Sequence, residues 1–573
     1  MLVALRLVDH RSGGARRRLP LTAEGRAGGG DPGRWGLLLT LATIAAVFWT
    51  QWFWVRSTNF GGADEWLLID LSSRGVLAFP YANRPLVLLW TTIASQSWPH
   101  DLRAYWLFSG LYLCGAAFLT TVLARRLWPA SPRLALLAGV FAVGWAPLDA
   151  LRLSGVLSCS YTGFTLCTMA ALTLFVESWH RRRRDLLVLA ALLGFIAARG
   201  VESVIPVLIV APLLVAEKAW QDRRRLAGWL AVWYGAVALE LALALRPMLT
   251  GAPSYQQGAL GLDPNPVRAL GRLAQLLWLQ AGPLVTSPPA ELWTPAVVLA
   301  VGAFLALAAG AAKWGSGSSA TAAPLRGEVL RALGVGLLLA ASAHAGLALT
   351  VAIKTPSRTQ ILSGPGFGLA LAGLIVLLSS LGPRRTASAA TLALGAWVVA
   401  VGAGRTVALQ EEWDTVQGVY PQQYRTLSGL VGEAPGLKPG TLVLLLDNAR
   451  VWPLSFTFRH AVSYLYPGQA LGLVPGGNDM LYPWSFTPAG VAIAPWPLNR
   501  GPWGVRPSFH PWDALVVVGP GAAGVLAVRP RWPEGVLPPL PPGARYAPFE
   551  RIVRDGPVPA SRRILRAPES DGR

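Results

Sequence analysis

The stretch "WGLLLTLATIAAVFWTQWFWVRSTNFGGADEW", residues 35–66, carries the pattern that decides the fold. It opens with about twenty mainly apolar residues, which is enough for a helix to cross a bilayer. Trp49, Trp52 and Trp54 close the run, as aromatic residues do at a membrane–water interface. The acidic pair Asp64 and Glu65 follows a few residues later. We therefore predict a first membrane span whose outer end leads into a charged loop.

The composition extends this interpretation to most of the chain. Of the 573 residues, 53% are hydrophobic and only 14% are charged, so much of the surface is expected to face lipid. The net charge is +21, but the arginines are grouped between apolar runs, where membrane topology explains them. Nucleic acid is therefore not an expected partner. Cys114, Cys159 and Cys167 show no metal or disulfide spacing and are interpreted as packing residues.

Apolar runs that can cross a bilayer recur along the chain and predict about eleven spans. They lie near residues 35–55, 103–124, 134–149, 160–179, 186–200, 201–216, 226–246, 293–312, 329–353, 365–381 and 387–407. With a cytoplasmic amino terminus, the arginine clusters fall on the cytoplasmic side and the carboxyl terminus lies outside. This scheme requires the amphipathic segment 267–285 to lie in the interface instead of crossing. The predicted location is the cytoplasmic membrane.

Composition also divides the chain into regions. We predict a disordered basic cytoplasmic leader at 1–34, a transmembrane domain at 35–407, an extracytoplasmic soluble domain at 408–560 and a disordered tail at 561–573. Within the soluble domain, "TLVLLL" from Thr441 and "ALVVV" from Ala514 predict strands. The expected fold is an α-helical polytopic membrane protein with interfacial helices in its first outer loop and a C-terminal β or α/β domain.

The first outer loop concentrates charge in a chain that has little. Residues 63–75 predict a short amphipathic helix, on which Asp70 and Arg74 are spaced for a structural ion pair. Asp64 and Glu65 are adjacent, so on a helix their side chains diverge by about 100 degrees. We expect one of them to face a site and the other to brace it. On charge pattern alone, an ordinary loop with surface charges explains the stretch equally well.

A resemblance favours a functional loop. The acidic pair, the amphipathic helix and then "PYANRPLVLLW" at 80–90 are similar to the first outer loop of the C-type integral-membrane glycosyltransferases. The similarity is to the protein O-mannosyltransferase and lipid A aminoarabinose transferase branch. One proline of that family's element is missing, because Leu86 follows Pro85. Looser similarity covers most of residues 35–407, through "ARGVESVIPVLI" from Ala198 and "SRTQILSGPGFG" from Ser357, but not the outer domain.

The resemblance implies an enzyme that moves a sugar from a dolichyl- or polyprenyl-phosphate carrier to an acceptor at the outer membrane face. Asp64, with Glu65, is the implied catalytic carboxylate position, and Arg84 and Arg358 are the implied binders of the donor phosphate. Four further residues are candidates for supporting positions: Tyr81, Arg199, Glu202 and Lys354. The sugar, the acceptor (protein, lipid or glycan) and the need for a divalent metal stay open, and no cofactor is assigned.

The main alternative is a transporter or a non-catalytic component of cell-envelope glycan assembly. That function predicts facing polar residues near mid-membrane and two related halves, whereas the charges here gather near the outer interface. Some candidates also have simpler interpretations. Arg199 and Glu202 are spaced to neutralise each other, and His344 stands alone in an apolar run, which favours packing over a metal. "GPGAAG" from Gly519 favours a hairpin turn, and Asp447 favours a turn after a strand.

Overall fold

The computed structural model of the chain consists of a helical bundle and a C-terminal domain that contains strands. Its described residues are 32–62, 64–78, 84–145, 147, 150–216, 222–249, 263, 265–315, 326–350, 358–446, 451–477, 481–494, 507–521 and 525–565. The helices are α1 (Pro32–Trp52), α2 (Glu65–Ser73), α3 (Leu89–Ser97), α4 (Leu102–Leu127), α5 (Pro132–Gly144), α6 (Gly155–Arg181), α7 (Arg184–Gly200), α8 (Val204–Val210), α9 (Arg223–Leu249), α10 (Pro266–Ala281), α11 (Pro283–Thr286), α12 (Pro295–Gly315), α13 (Arg326–Ala348), α14 (Thr359–Ser380), α15 (Arg384–Glu412), α16 (Tyr420–Glu433) and α17 (Ser455–Leu465).

The predicted apolar runs coincide with helices in every case. Among the described residues, 6 helices are long and apolar enough to cross a membrane, namely α4, α6, α9, α13, α14 and α15. Shorter apolar helices lie within α1, α5 and α12 and at Val204–Leu214. The chain is thus a multi-pass membrane protein, and the number of crossings stays a prediction. The segment expected to lie in the interface forms α10, which buries Leu276 and Gln280 and exposes Val267, Leu270 and Trp278.

Small residues allow the helices near the site to pack closely. A Cβ added at Gly336 of α13 would come within 2.4 Å of the backbone nitrogen of Ala370 in α14. A Cβ at Gly366 of α14 would come within 2.5 Å of the backbone nitrogen of Ala340 in α13. Glycine permits such contact between helix backbones, as it does in many membrane helix pairs. This packing fixes the start of α14, where Arg358 lies.

The bundle has a basic end and an opposite end that carries the first loop. At the basic end, Arg126 and Arg181 both pair with Glu177 near the end of α6, and the Arg225 guanidinium donates to the Trp179 carbonyl. The opposite end holds α2, α3, the junction of α7 with α8, the start of α14 and the C-terminal domain. Arg126, Arg181 and Arg225 thus form an arginine group at the end of the bundle away from the first loop.

The C-terminal domain is an α/β structure built on short strands. These are β1 (Gly436–Leu437), β2 (Thr441–Leu445), β3 (Ala470–Leu473), β4 (Trp484–Thr487), β5 (Gly490–Ile493), β6 (Ser508–Pro511), β7 (Leu515–Pro520), β8 (Leu526–Val528) and β9 (Ile552–Val553). The main sheet has the order β3-β2-β7-β8, with β2 parallel to β3 and β7. The helix α17 connects β2 to β3.

The strand predictions for this domain are confirmed. "TLVLLL" forms β2 and "ALVVV" contributes β7. β7 pairs antiparallel with β8, which agrees with a hairpin turn at "GPGAAG". A second sheet, β4-β5-β6, is antiparallel, and β1 pairs with β9. Asp447, which follows β2, lies outside the described residues.

The domain and the first loop share one hydrophobic core. Phe60, Trp66 and Leu68 of the loop belong to the same buried cluster as Leu430 and Phe456 of the domain. Two polar contacts reinforce this packing: Trp66 Nε1 donates to Gln423 Oε1 at 2.9 Å, and the Val419 amide donates to the Phe60 carbonyl at 3.2 Å. The first loop is therefore held between the bundle and the C-terminal domain.

Candidate active site

Four separate segments of the chain supply the charged cluster at the loop-bearing end. Asp64 is the residue before α2, and Arg84 lies a few residues before α3. Arg358 is the residue before α14, and Glu202 lies between α7 and α8. The sequence predicted a role for each of these residues, and the structure brings them together. The fifth member, Tyr161 in the second turn of α6, was not predicted.

The geometry centres on the Tyr161 hydroxyl. Arg84 Nη1 donates to this oxygen at 3.1 Å and Arg358 Nη1 donates to it at 3.2 Å. Arg358 Nη2 also donates to Asp64 Oδ2 at 3.2 Å. The Asp64 and Arg358 side chains are 27% and 25% exposed, so a ligand can reach both. Two guanidinium groups thus converge on a single hydroxyl, and one of them also pairs with a carboxylate.

Glu202 holds the second arginine. Arg84 Nη2 donates to Glu202 Oε1 at 2.8 Å, and Arg84 Nε bonds the other carboxylate oxygen. Such a two-bond pair between guanidinium and carboxylate fixes the plane of the arginine as well as its position. Glu202 therefore orients Arg84 so that its Nη1 points at Tyr161.

The alternative in which Arg199 and Glu202 neutralise each other is wrong. Arg199 pairs with Glu240 of α9 at 3.3 Å, while Glu202 pairs with Arg84. The reason is local: α7 ends at Gly200 and Val201 is extended, with φ −146° and ψ 106°, so the helical i, i+3 relation is lost. Arg199 still supports the site, because its carbonyl accepts from the amide of Leu86 at 3.3 Å.

Asp64 and Glu65 diverge as two adjacent residues at a helix start do. Asp64 faces Arg358, whereas the Glu65 side chain turns back and accepts from the Gly61 amide at 2.7 Å. Glu65 is 1% exposed, and burial raises the pKa of its carboxyl group to about 7. Glu65 braces the loop that presents Asp64 and does not join the arginine cluster.

Two predicted supporting residues, Tyr81 and Lys354, lie outside the described residues. Tyr161 was not predicted from the sequence, although one feature of the sequence does indicate it. The first turns of α6 are rich in hydroxyl groups although the helix is apolar enough to span a membrane, and polar residues in such a position are candidates for function.

The residues in this cluster do not fit a protein-held metal ion. In the part of the chain that the structure describes, no three His, Cys, Asp or Glu side chains are grouped to bind one. The carboxylates of Asp64 and Glu202 each face an arginine. His344 is buried, with Nδ1 at 2.9 Å from Thr359 Oγ1 and Nε2 at 3.1 Å from Gln280 Oε1, which is a packing and hydrogen-bonding role.

Comparison with known proteins gave structural similarity only. Neither a protein-family model nor a curated protein sequence matches the chain. The chain is similar to the structure of ArnT from Cupriavidus metallidurans bound to undecaprenyl phosphate, with 15% identity, 77% of this chain and 89% of ArnT covered, and a TM-score of 0.40. It is also similar to AglB, an oligosaccharyltransferase from Archaeoglobus fulgidus, in complex with an inhibitory peptide and a dolichol-phosphate.

For AglB the identity is 13%, the coverage is 77% of this chain and 64% of AglB, and the TM-score is 0.43. Each of the two structures holds a lipid phosphate, undecaprenyl phosphate in ArnT and a dolichol-phosphate in AglB.

Proposed function

We propose that this protein is a C-type membrane glycosyltransferase that takes its sugar from a polyprenyl-phosphate carrier. One observation carries the proposal: the guanidinium groups of Arg84 and Arg358 converge on the Tyr161 hydroxyl at 3.1 and 3.2 Å, with Asp64 beside Arg358. Two guanidinium groups that share one oxygen position form a natural site for a phosphate oxygen. The supporting residues are Glu65, Arg199 and Glu202.

The donor phosphate would bind where the two arginines meet. Arg358 is the residue before α14, so the amino-terminal end of that 22-residue helix, whose dipole favours an anion, lies next to the same position. The Tyr161 hydroxyl can donate a hydrogen bond to a phosphate oxygen while its ring stays below Arg358, 5.3 Å from the guanidinium carbon. Glu202 keeps Arg84 in place while the phosphate binds.

The residues support a single displacement at the anomeric carbon. An acceptor hydroxyl or amine forms the new bond to this carbon, and the bond from the carbon to the phosphate oxygen breaks with its electron pair going to the phosphate. Asp64 takes the acceptor proton or orients the acceptor for attack. Arg84 and Arg358 stabilise the charge that develops on the departing polyprenyl phosphate. One displacement inverts the configuration of the sugar.

We further propose that the reaction takes place on the extracytoplasmic side of the cytoplasmic membrane. The arginine-rich end, with Arg126, Arg181 and Arg225, is the end that the positive-inside rule assigns to the cytoplasm. The opposite end carries the candidate site and the C-terminal domain. The amino terminus is then cytoplasmic and the C-terminal domain extracytoplasmic.

The proposal is tested with the purified protein in lipid, by following transfer or hydrolysis of radiolabelled polyprenyl-phosphate hexoses. Asp64→Asn should lower turnover by about 10²–10⁴-fold and retain donor binding, because an amide cannot take a proton. The matched control is Asp185→Asn, which changes an exposed acid paired with Arg183 at the basic end and should leave turnover unchanged. No turnover by the native protein with a panel of donors, or equal turnover in Asp64→Asn, would contradict the proposal.

A further inference from the structure

We propose that the C-terminal domain positions Asp64 through His460, which bridges the domain to α2. His460 lies in α17 and touches no atom of the arginine cluster, so it is a positioning residue. The proposal rests on the proposed function only in taking Asp64 as the reacting carboxylate. It makes the domain a structural part of the site and not a separable module that only selects acceptors.

A buried chain of three side chains forms the bridge. Asp70 of α2 contacts His460 Nδ1 through Oδ2 at 2.7 Å, and His460 Nε2 lies 3.0 Å from the Tyr482 hydroxyl. The Asp70 and His460 side chains are 2% and 5% exposed. The other Asp70 oxygen accepts from Arg74 Nε at 3.0 Å and from Arg74 Nη2 at 2.7 Å. Both carboxylate oxygens of Asp70 are thus satisfied, one by its own helix and one by the domain.

Further contacts join the same two parts of the molecule. Arg74 Nη2 also donates to Ser463 Oγ of α17 at 2.6 Å. His100, which follows α3, has Nδ1 at 2.8 Å from the Tyr464 hydroxyl. Every residue of α17 is buried, so this helix lies between the sheet and the first loop. His460 is therefore at the centre of a continuous interface.

The position of Asp64 depends on this interface because α2 is short. A helix of nine residues is marginal by itself in water, and most of its stability must come from packing. Asp64 forms no capping hydrogen bond through its side chain at the start of α2. Asp70 lies six residues further on, so a contact that fixes Asp70 sets the rotation of α2 about its axis. That rotation decides whether Asp64 faces Arg358.

Burial favours the neutral form of His460 in this role, although the neighbouring Asp70 carboxylate opposes it. Asp70, Arg74, Arg459 and Tyr482 face the ring, and burial lowers the pKa of His460 below its ordinary value. In the neutral ring, Nδ1–H donates to Asp70 and Nε2 accepts from the Tyr482 hydroxyl. The neutral ring can therefore form both hydrogen bonds of the bridge without taking up a proton from solvent.

The test uses the full chain in lipid and compares His460→Leu, His460→Asn and, as matched control, His510→Leu. His510 is also a buried histidine of the domain, but its ring nitrogens lie near the Gly440 carbonyl and Ser508 and not near α2. We measure amide hydrogen exchange in residues 64–75 and, separately, donor KM and the turnover number. His460→Asn keeps a side-chain N–H for Asp70 and should rescue both properties.

For His460→Leu we expect exchange in α2 to be at least about tenfold faster, since a hydrogen bond to a charged group is lost. Turnover should fall about tenfold with donor KM changed less than twofold, because Asp64 and not the phosphate site is displaced. His510→Leu should change neither α2 exchange nor turnover. If His460→Leu does not fold, Tyr482→Phe removes only the last hydroxyl and should give about threefold faster exchange in α2.

Unchanged exchange of α2 in both His460→Leu and Tyr482→Phe would overturn the bridge. Equal losses in His510→Leu would also overturn it, because they would reflect general damage to the domain. Faster exchange of α2 in a protein whose native form transfers no sugar would support the bridge and refute the proposed function. The two proposals can therefore fail separately.

Discussion

Asp64 precedes the short helix α2 and Asp70 lies within it, and the two acids have opposite environments. Asp64 is about a quarter exposed and has one arginine contact, at 3.2 Å, which a ligand can displace. Asp70 is nearly inaccessible and has both oxygens bonded, to Arg74 and to His460. The same residue type therefore has two environments within six positions, which supports the proposal of a reacting role for Asp64 and a structural role for Asp70. An acid that is open and incompletely bonded can react, whereas one that is closed and fully bonded can only hold the structure.

The strongest test of this difference is to remove each acid and measure thermal unfolding. Asp70→Leu should lower the free energy of unfolding by about 3 kcal/mol, because charge-assisted hydrogen bonds are lost and the buried His460 is left without its acceptor. Asp64→Leu should lower it by less than about 1 kcal/mol, since its single contact is partly exposed. Equal effects of the two changes would remove the distinction between a reacting acid and a structural acid.

A second test concerns Glu65, which lies next to Asp64 and is buried like Asp70. Burial raises the pKa of Glu65 from 4.5 to about 7, so the folded protein holds a proton that the unfolded chain releases between these values. Stability should therefore fall by about 2.5 kcal/mol as the pH rises from 5 to 8. Glu65→Gln, which can still accept from the Gly61 amide, should lose this decline. Thermal unfolding of both proteins across this pH range measures it, and parallel curves would contradict it.

A third test asks whether the arginine cluster at the amino-terminal end of α2 is a phosphate site. Arg358→Gln and Arg84→Gln should each weaken binding of a polyprenyl phosphate by about 30-fold, or about 2 kcal/mol, because each removes a charge-assisted hydrogen bond to the phosphate. Arg103→Gln is the control, since Arg103 is an exposed arginine that pairs with Asp101 away from the cluster. Equilibrium binding of labelled polyprenyl phosphate in lipid gives the result. Affinities equal to that of the control would exclude the cluster as the donor site.

The smallest effect is expected at a fourth acid of the first loop, Asp101. Its side chain accepts from the Arg103 amide and caps the start of α4. Asp101→Ala should cost about 1 kcal/mol of stability, the usual value of a helix cap, and should leave turnover unchanged. A loss of turnover as large as that expected for Asp64→Asn would show that the loop tolerates no change of charge, and the contrast between Asp64 and Asp70 would lose its meaning.

Much of the fold could be predicted from local pattern. Apolar runs of bilayer length coincide with helices, and the Asp70–Arg74 pair forms as the i, i+4 spacing predicts. The strands β2 and β7 follow from β-branched and leucine runs. These features depend on neighbours a few residues apart, so the sequence specifies them directly.

The partners of the charged residues could not be predicted in the same way. Arg199 and Glu202 are three residues apart, but the end of α7 at Gly200 sends them to Glu240 and Arg84. Tyr161 meets Arg358 across 197 positions of sequence, and His460 meets Asp70 across 390. Such contacts depend on how whole helices and the C-terminal domain pack, which no local spacing encodes.

The sequence by itself determined that this is a helical membrane protein with a charged first loop and a β or α/β domain after its last apolar run. The physical reason is that hydrophobic length and periodicity are properties of short segments. Only the tertiary structure decided which acid is open and which is bridged, because burial and hydrogen bonding at Asp64 and Asp70 come from residues far away in the chain. The packing of the first loop between the bundle and the C-terminal domain is therefore the basis for proposing that Asp64 reacts and that Asp70 supports the structure.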